Sequence, residues 1–472
     1  MASVVIIGGG AAGCFCAAEL SHLRPDLSIT VLEAGPRLMA KLAITGGGRC
    51  NITNSFEDIC NVPLVGPYSE SANSGRVLGK VSVRELETVY PRGAGVLKRL
   101  LPRFGPSDLL RWFGERGVEF TVQPDHCVFP VSQDAMQIVR VLERELRNGG
   151  VKVLCNSKVE TVLPSLEMVL SPGANLPVIS TGANPPVIST EANHSVISTE
   201  ANHSVISTGA NPHVISTGAK RSGEISPSAI VLTTGGGTAR ILRDTGIELI
   251  TELPSLFTFK INDSSLRSLM GTVVDNVTLG LAGTRFRSHG TLLLTDWGVS
   301  GPATLRLSSY AARWLAENQY RGSLLVNWID GDEDTARGLL TALAESNSGR
   351  MIANCHPAAL SDRLWRHLAS RAGIRPDCRW AEIGSKGLTR LVNVLISDSY
   401  EITGRARFKE EFVTCGGVAL SELYPDTLES RRIPGLFFAG EVLDIDAVTG
   451  GFNLQAAWTT GWIAAHSIAA KL

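Results

Sequence analysis

Two glycine-rich stretches carry most of the residues that could do chemistry. The first is "SVVIIGGGAAG", with Gly8, Gly10 and Gly13 in the spacing G-x-G-x-x-G between a β-branched run and an alanine-rich helix. In that context Gly8 permits a tight turn, Gly10 lets the backbone approach a pyrophosphate, and Gly13 lets helix and strand pack closely. The amides of Ala11 and Ala12 then open a helix whose positive dipole end faces phosphate. "LSITVLEA" supplies a second strand ending in Glu33, 20 residues beyond Gly13. An acid at that offset binds ribose hydroxyls and disfavours a 2′-phosphate. The bland alternative is a tight turn without a ligand; the strand–turn–helix context and the acid favour dinucleotide binding.

The second stretch, "KLAITGGGRCNITN", places Gly46, Gly47 and Gly48 in a row, followed by Arg49, Cys50, Asn51, Thr53 and Asn54. Such a run sacrifices too much backbone entropy to be helix or strand, so it is expected to lie against a ligand. Lys41, Gly47, Gly48, Arg49, Asn51 and Asn54 are candidate contacts there. Arg49 suits a cofactor phosphate or an anionic substrate, with simple surface exposure as the alternative.

Further strand-to-loop transitions complete the set. "SAIVLTTGGGTAR" runs from a strand, Ile230 to Thr233, into Gly235, Gly236 and Gly237. "GLFFAGEVLDIDAVTGGFNLQAAW" ends a strand in Gly440 and Glu441, continues through Asp444 and Asp446, and enters a helix at Gly450, Gly451, Phe452 and Asn453.

The elements that position these residues come from a 472-residue chain of ordinary globular composition, 44% hydrophobic and 19% charged, long enough for two or three domains. A formal net charge of −1 gives no global field for nucleic acid or membrane. It leaves room for a local strip, Arg84, Arg92, Lys98, Arg99, Arg103, Arg111 and Arg116, although a solvated helical face is the reading favoured for it. Nine cysteines without paired metal-ligand spacing fit reduced thiols and a cytoplasmic chain, and no metal constellation emerges. The glycines come too early for a cleavable leader, and no apolar run reaches the ~18 residues of a membrane span.

From about residue 171 to 226 a nine-residue unit, "VISTGANPP", recurs in five copies. Nine residues make about two and a half helical turns and an odd number of strand positions, so neither structure keeps the Val-Ile pairs on one face. The repeat is expected to be mostly disordered, without catalytic function; His194, His203 and His213, which recur with it, leave a metal role as a minor alternative.

Together these motifs resemble the YhiN/BaiN-like flavoprotein family, whose members hold FAD in two dinucleotide-binding segments. The carrying pieces are "KLAITGGGRCNITN", "ELPSLFTF", "GTLLLTDWGVSGPATLRLS" and the block from "FVTCGGVALSELYPDTL" to "GGFNLQAAWTTGW". They span nearly the whole chain apart from the repeat. The resemblance implies that Glu441 or Asp444 lies by the ribityl–phosphate part of FAD, and that Gly451, Phe452 and Asn453 offer amides to the flavin's pyrimidine edge. A helix N-terminus there stabilises the negative charge of reduced flavin. Three departures stand out: Asp296 where members usually have histidine, His126-Cys127 where Gly-Arg is usual, and a short loop after Gly237.

The implied fold is α/β: a Rossmann-like FAD-binding domain, a parallel sheet with helices, made of residues 1–254 and 408–472. An inserted domain, 255–407, combines a β-barrel read from "FTFKIN", "TVVDNVTLGLAG" and "TRFRSHGTLLLT" with helices read from "TARGLLTALAESN", "LSDRLWRHLASRAG" and "LTRLVNVLI". A cleft between the domains is the expected substrate site. One G-x-G-x-x-G, with no separate nicotinamide domain evident, leaves NADH or NADPH to act as a transient electron donor at the flavin face, or another reductant to serve. The resemblance implies reduction of a pyrimidine C=C bond in 23S ribosomal RNA, with the Arg84–Arg116 strip facing the RNA. The alternatives are a small-molecule oxidoreductase, reducing a conjugated C=C or oxidising amines, and a non-catalytic flavin- or RNA-binding module. Reduction of C=C also needs an acid, and Cys415, Cys50 and Asp296 are the candidates, with packed or capping roles as the alternatives.

Overall fold

The computed structural model describes residues 2–65, 74–171, 196–200, 203–207, 213–215, 227–406 and 413–472. The chain forms two units, Met1–Glu252 with Thr414–Leu472, and Leu253–Val413.

The first unit is built on a five-stranded parallel sheet in the order Leu436–Phe438, Ala229–Leu232, Ser3–Ile7, Ser28–Leu32, Lys152–Leu154. Its strands are Val-, Ile-, Leu- and Phe-rich because a central parallel sheet is covered on both faces. Val4 pairs with Ile29 on one side and Ala229 on the other, and Ile230 pairs with Leu436. The helix Ala11–Leu23 is buried along most of its length, which small residues such as Ala12, Gly13, Ala17 and Ala18 permit. It packs against the C-terminal helix Phe452–Lys471, and a Cβ on Gly461 would sit 2.8 Å from the Ala12 carbonyl oxygen. Around Phe15, an aromatic cluster of Trp112, Trp458 and Phe104 lies at 4.7, 5.4 and 5.5 Å between ring centres. Such pairs add to the area buried.

The second unit holds a closed barrel of six strands in the order Phe259–Ile261, Gly298–Ser300, Arg287–Leu294, Val273–Leu281, Gly322–Asn327, Asp398–Arg405. Alternation places Leu279, Leu281, Leu292, Leu294, Leu324, Val326, Tyr400 and Ile402 in its core. Helices Glu333–Ser346, Asp362–Arg371 and Gly384–Ser397 follow the expected apolar periodicity. Asp332 and Ser361 cap the first two by accepting from Thr335 N and Leu364 N.

Within the nine-residue repeat three of the described stretches are strand. Val196–Glu200 pairs antiparallel with His203–Ser207, and His213–Ile215 adds to Met168–Leu170. An odd period defeats long-range burial of one face, but pairing of neighbouring copies needs only a local ladder. The remainder of the repeat lies outside the described residues.

Candidate functional site

The first glycine turn is closed on itself and open outward. Gly8 has φ +111, and a Cβ there would meet the Thr233 carbonyl oxygen at 2.6 Å. A Cβ on Gly13 would lie 2.0 Å from the Gly8 carbonyl oxygen. Thr233 Oγ1 donates toward the carbonyls of Ile7 and Gly8, at 3.0 and 2.7 Å, tying the neighbouring strand to the turn. Glu33 accepts from Gly9 N through Oε2 and from Gly35 N through Oε1, each at 2.7 Å. Its carboxylate thus shapes the turn while each oxygen keeps a further lone pair for a ribose hydroxyl. Beyond the turn, Gly10 is extended, no side chain caps the helix, and nothing lies within 4 Å of where a Gly10 Cβ would be. The first-turn amides of Ala11 and Ala12 have neither an intrahelical acceptor nor a side-chain cap, as a phosphate cradle requires.

The second stretch docks on the C-terminal segment of the same unit. Gly46, Gly47 and Gly48 all have positive φ, +63, +69 and +83. A Cβ on Gly46 would crowd Asn51 N at 3.1 Å, but nothing lies within 4 Å of one on Gly47 or Gly48. Arg49 is exposed, donates to the Gly46 carbonyl at 3.2 Å and lies 4.5 Å over the Phe129 ring. Downstream, Asn51 accepts from Gly451 N at 3.1 Å and donates to the Thr53 carbonyl at 2.8 Å. Asn54 donates to the Gly450 carbonyl at 3.1 Å, Thr53 to Gln455 Oε1 at 2.6 Å, and Trp458 Nε1 to the Ile52 carbonyl at 3.0 Å. In the amide orientation that satisfies both groups, the Asn51 side chain and the Gly451 amide meet each other, because the close approach at Gly451 brings its backbone onto residues 51–53.

The other C-terminal candidates divide between framework and open site. Gly440, with φ +77, seats its turn on the first helix, since a Cβ there would reach Ala12 Cβ at 2.8 Å. Glu441 accepts from Thr414 N at 2.7 Å and lies 3.8 Å from Lys41 Nζ, beside Gly235. Asp444 accepts from Gly416 N at 3.1 Å. Asn453 folds back on Ala447, accepting from its N–H and donating to its carbonyl, both at 2.9 Å. Phe452 is buried against Phe56 and Tyr90, so its side chain is core. Gly236 is exposed and adjoins Gly237, whose amide, with that of Thr238, is held by Glu252 at 2.7 and 2.9 Å.

Sequence reasoning passes over the strongest internal tie. Arg92 pairs with Asp446 through both Nε and Nη2, with side chains 10% and 0% exposed. Nearby, Tyr90 donates to the Phe452 carbonyl at 3.0 Å and Val448 N to the Val89 carbonyl at 2.8 Å. The 445–452 loop is thereby clamped to residues 89–92. The two halves of the pair lie 354 residues apart, so no local spacing announces it.

The three candidate acids differ in exposure. Cys50 and Cys415 are both fully buried. Burial pushes the Cys50 thiol up to about 12. Asp296 is exposed in the turn between two barrel strands, where its carbonyl accepts from Arg267 Nε. His126 takes φ +63 between Phe120–Val122 and Cys127–Pro130, a backbone that glycine adopts without strain, and Cys127 is buried. The basic strip also does not form one free face. Besides Arg92, Lys98 is held by the carbonyls of Gly79 and Val81, Arg99 and Arg103 by Asp426, Arg111 by Asp108 and Arg116 by Glu145.

A family profile described as the HI0933-like protein Rossmann domain matches residues 2–65 and 77–467. The chain belongs to the HI0933-like family. Relatives match end to end. The 3-dehydro-bile acid Δ4,6-reductase of Clostridium scindens is 24% identical over 100% of both chains. The ribosomal RNA dihydrouridine synthase of Haemophilus influenzae is 26% identical over 98% of both. Its Escherichia coli namesake is 25% identical over 99% of this chain and 98% of its own. Among solved structures, a 3-ketosteroid Δ1-dehydrogenase from Sterolibacterium denitrificans aligns over the whole of both chains with a TM-score of 0.45 and 13% identity.

The residues of this HI0933-like chain fit an extended dinucleotide such as FAD. The uncapped helix start at Gly10 and the clear backbone at Gly47 and Gly48 leave room for one. Thr234 adds a buried hydroxyl without a protein partner, and its Cα would be 2.9 Å from a Cβ on Gly8. An unpaired buried polar group beside a phosphate-type turn is a position a ligand satisfies.

Proposed function

We propose that the protein is a FAD-dependent oxidoreductase that reduces a pyrimidine C=C bond in 23S ribosomal RNA, converting uridine to dihydrouridine. One observation carries the flavin part: two glycine turns of one unit, at 8–13 and 46–48, leave backbone open outward, the first of them beside the orphaned Thr234 hydroxyl. The RNA part is supported by the two full-length relatives named as ribosomal RNA dihydrouridine synthases. When bound, FAD supplies hydride to the substrate, with NADH or NADPH as the transient source of electrons. The chain's own residues bind and orient. The Ala11 and Ala12 amides meet phosphate oxygens, Glu33 meets a ribose hydroxyl while it fixes the Gly9 amide, and Lys41 and Glu441 flank the Gly235 backbone. Asn51, Asn54 and the Arg92–Asp446 pair hold the 445–452 loop so that the helix start at Gly451 keeps its place.

A second reading, a reductase of conjugated C=C bonds in small molecules, is favoured by the bile acid reductase that matches 100% of both chains. Purified protein should be yellow with a flavin spectrum, and protein that takes up no FAD on reconstitution sinks both readings. Mass spectrometry of rRNA nucleosides then separates them. Cells lacking the gene should lose a pyrimidine heavier by two hydrogens than uridine. Unchanged rRNA, with enone-dependent reoxidation of the reduced protein, selects the small-molecule reading.

A further inference from the structure

We propose that the helical part of the second unit, residues 350–390, is the surface that holds RNA phosphates; the proposal rests on the RNA reading above. This segment carries seven arginines and one lysine against Asp362, Asp377 and Glu382, an excess of five positive charges in a chain of net −1. Arg350, Arg366, Arg375, Arg379, Lys386 and Arg390 are all exposed.

The fold draws Arg350, Arg375, Arg379, Lys386 and Arg390 together, and Arg366 stands on the helix Asp362–Arg371, whose Trp365 stacks on Trp380 beside Arg379. Met351 bridges Arg379, and Trp380 N donates to the Arg350 carbonyl at 3.1 Å, which sets Arg350 beside Arg379 on adjoining backbones. Arg390 Nε donates to the Ala372 carbonyl at 2.8 Å, at the end of the Asp362–Arg371 helix. A Cβ on Gly387 would lie 3.6 Å from the Ile374 side chain, so Lys386 and Arg375 flank the same junction. Trp365 and Trp380, buried and stacked at 6.3 Å, fix the platform beneath.

The acids leave most of this charge unspent. Asp377 is 3.7 Å from Arg375, Asp398 and Asp263 pair with Arg371 at 2.7 and 3.4 Å, Glu382 accepts from the Arg379 amide at 3.2 Å, Asp362 pairs with His356 at 2.7 Å, and Glu345 is exposed at the end of the preceding helix. Arg350, Arg366, Arg379 and Lys386 have no ion pair among the described residues, in contrast with the partnered strip at 92–116. Arginine in preference to lysine suits phosphate, which its planar fork engages through two hydrogen bonds.

The test is fluorescence anisotropy of the flavin-loaded protein with a labelled single-stranded oligoribonucleotide, titrated with salt. The triple variant Arg366→Gln, Arg379→Gln, Lys386→Gln should bind at least about tenfold more weakly at low salt. Its slope of log K against log salt should flatten by about 0.7 per lost contact. Arg366→Gln alone, on an exposed helix face, should flatten it by about 0.7 and covers the case in which the triple variant does not fold. Equal affinity and slope in wild type and Arg366→Gln overturn the proposal. So does wild-type flotation with phosphatidylglycerol vesicles without RNA binding. If the rRNA nucleosides prove independent of the gene while the Arg366-dependent slope persists, the surface stands and the uridine reading falls. Gene-dependent dihydrouridine with an unchanged slope has the opposite meaning.

Discussion

The two glycine turns of the first unit use one residue type for opposite ends. At 8–13 the glycines turn inward: any Cβ on Gly8 or Gly13 would strike backbone at 2.6 or 2.0 Å. At 46–48 the glycines are equally left-handed, but Gly47 and Gly48 have nothing within 4 Å. The first turn needs glycine for how the protein packs on itself, and the second for what it leaves bare. Close packing is read by stability, bare backbone by ligand affinity, and the difference can be measured.

The largest effect should come from removing what the second turn leans on. Arg92→Met takes the guanidinium away from the Asp446 carboxylate, which is buried at 0% exposure, and should cost about 3–5 kcal/mol in denaturant melts. Replacing both partners, Arg92→Met with Asp446→Leu, should restore most of that loss; a double variant as unstable as the single would show that the loop needs the charges themselves. Next, Gly13→Ala forces a methyl against the Gly8 carbonyl and should cost about 3 kcal/mol, with flavin content falling alongside. Gly48→Ala should cost only about 1 kcal/mol, the strain of a left-handed alanine. Its flavin affinity should nonetheless fall about tenfold. Unaltered flavin binding in that variant would erase the contrast between the turns.

The smallest effect concerns Cys50, at the end of the second turn. Burial raises its thiol from near 9 to about 12 in the folded chain, so the neutral form is favoured there. That contribution to stability is complete below about pH 9 and is lost as pH rises through about 12. A maleimide at pH 9 should leave Cys50 unmodified in folded protein and label it in urea, as peptide mass spectrometry would reveal.

What was legible in the sequence follows how local the physics is. Gly8, Gly10, Gly13 and Glu33 announce their turn because strand, turn and helix are consecutive and their spacing sets the geometry. The barrel strands and three helices of the second unit are visible for the same reason, through alternation and 3.6-residue periodicity. The contacts Asn51–Gly451 and Arg92–Asp446 are not, since they join segments separated by roughly the whole chain and each residue taken alone looks like an ordinary polar group. The strip from Arg84 to Arg116 looks like one basic face because the residues are close in sequence. Arg92, Arg99, Arg111 and Arg116 are drawn to Asp446, Asp426, Asp108 and Glu145, on different elements, while Lys98 and Arg103 hold main-chain carbonyls. The converse holds at 350–390, where the excess is spread over several short elements and becomes a patch only once they fold together.

The first unit is assembled from sequence pieces that emerge from synthesis more than 150 residues apart, Met1–Glu252 and Thr414–Leu472. Its edge strand Leu436–Phe438 and the helix Phe452–Lys471 are made last, yet that helix covers the alanine-rich face of Ala11–Leu23 and completes the surroundings of both glycine turns. Until then the nascent chain holds an exposed apolar helix and half a binding site. On the proposed reading, cofactor capture therefore waits for the last helix, because a unit built from distant sequence pieces closes only when the chain is complete.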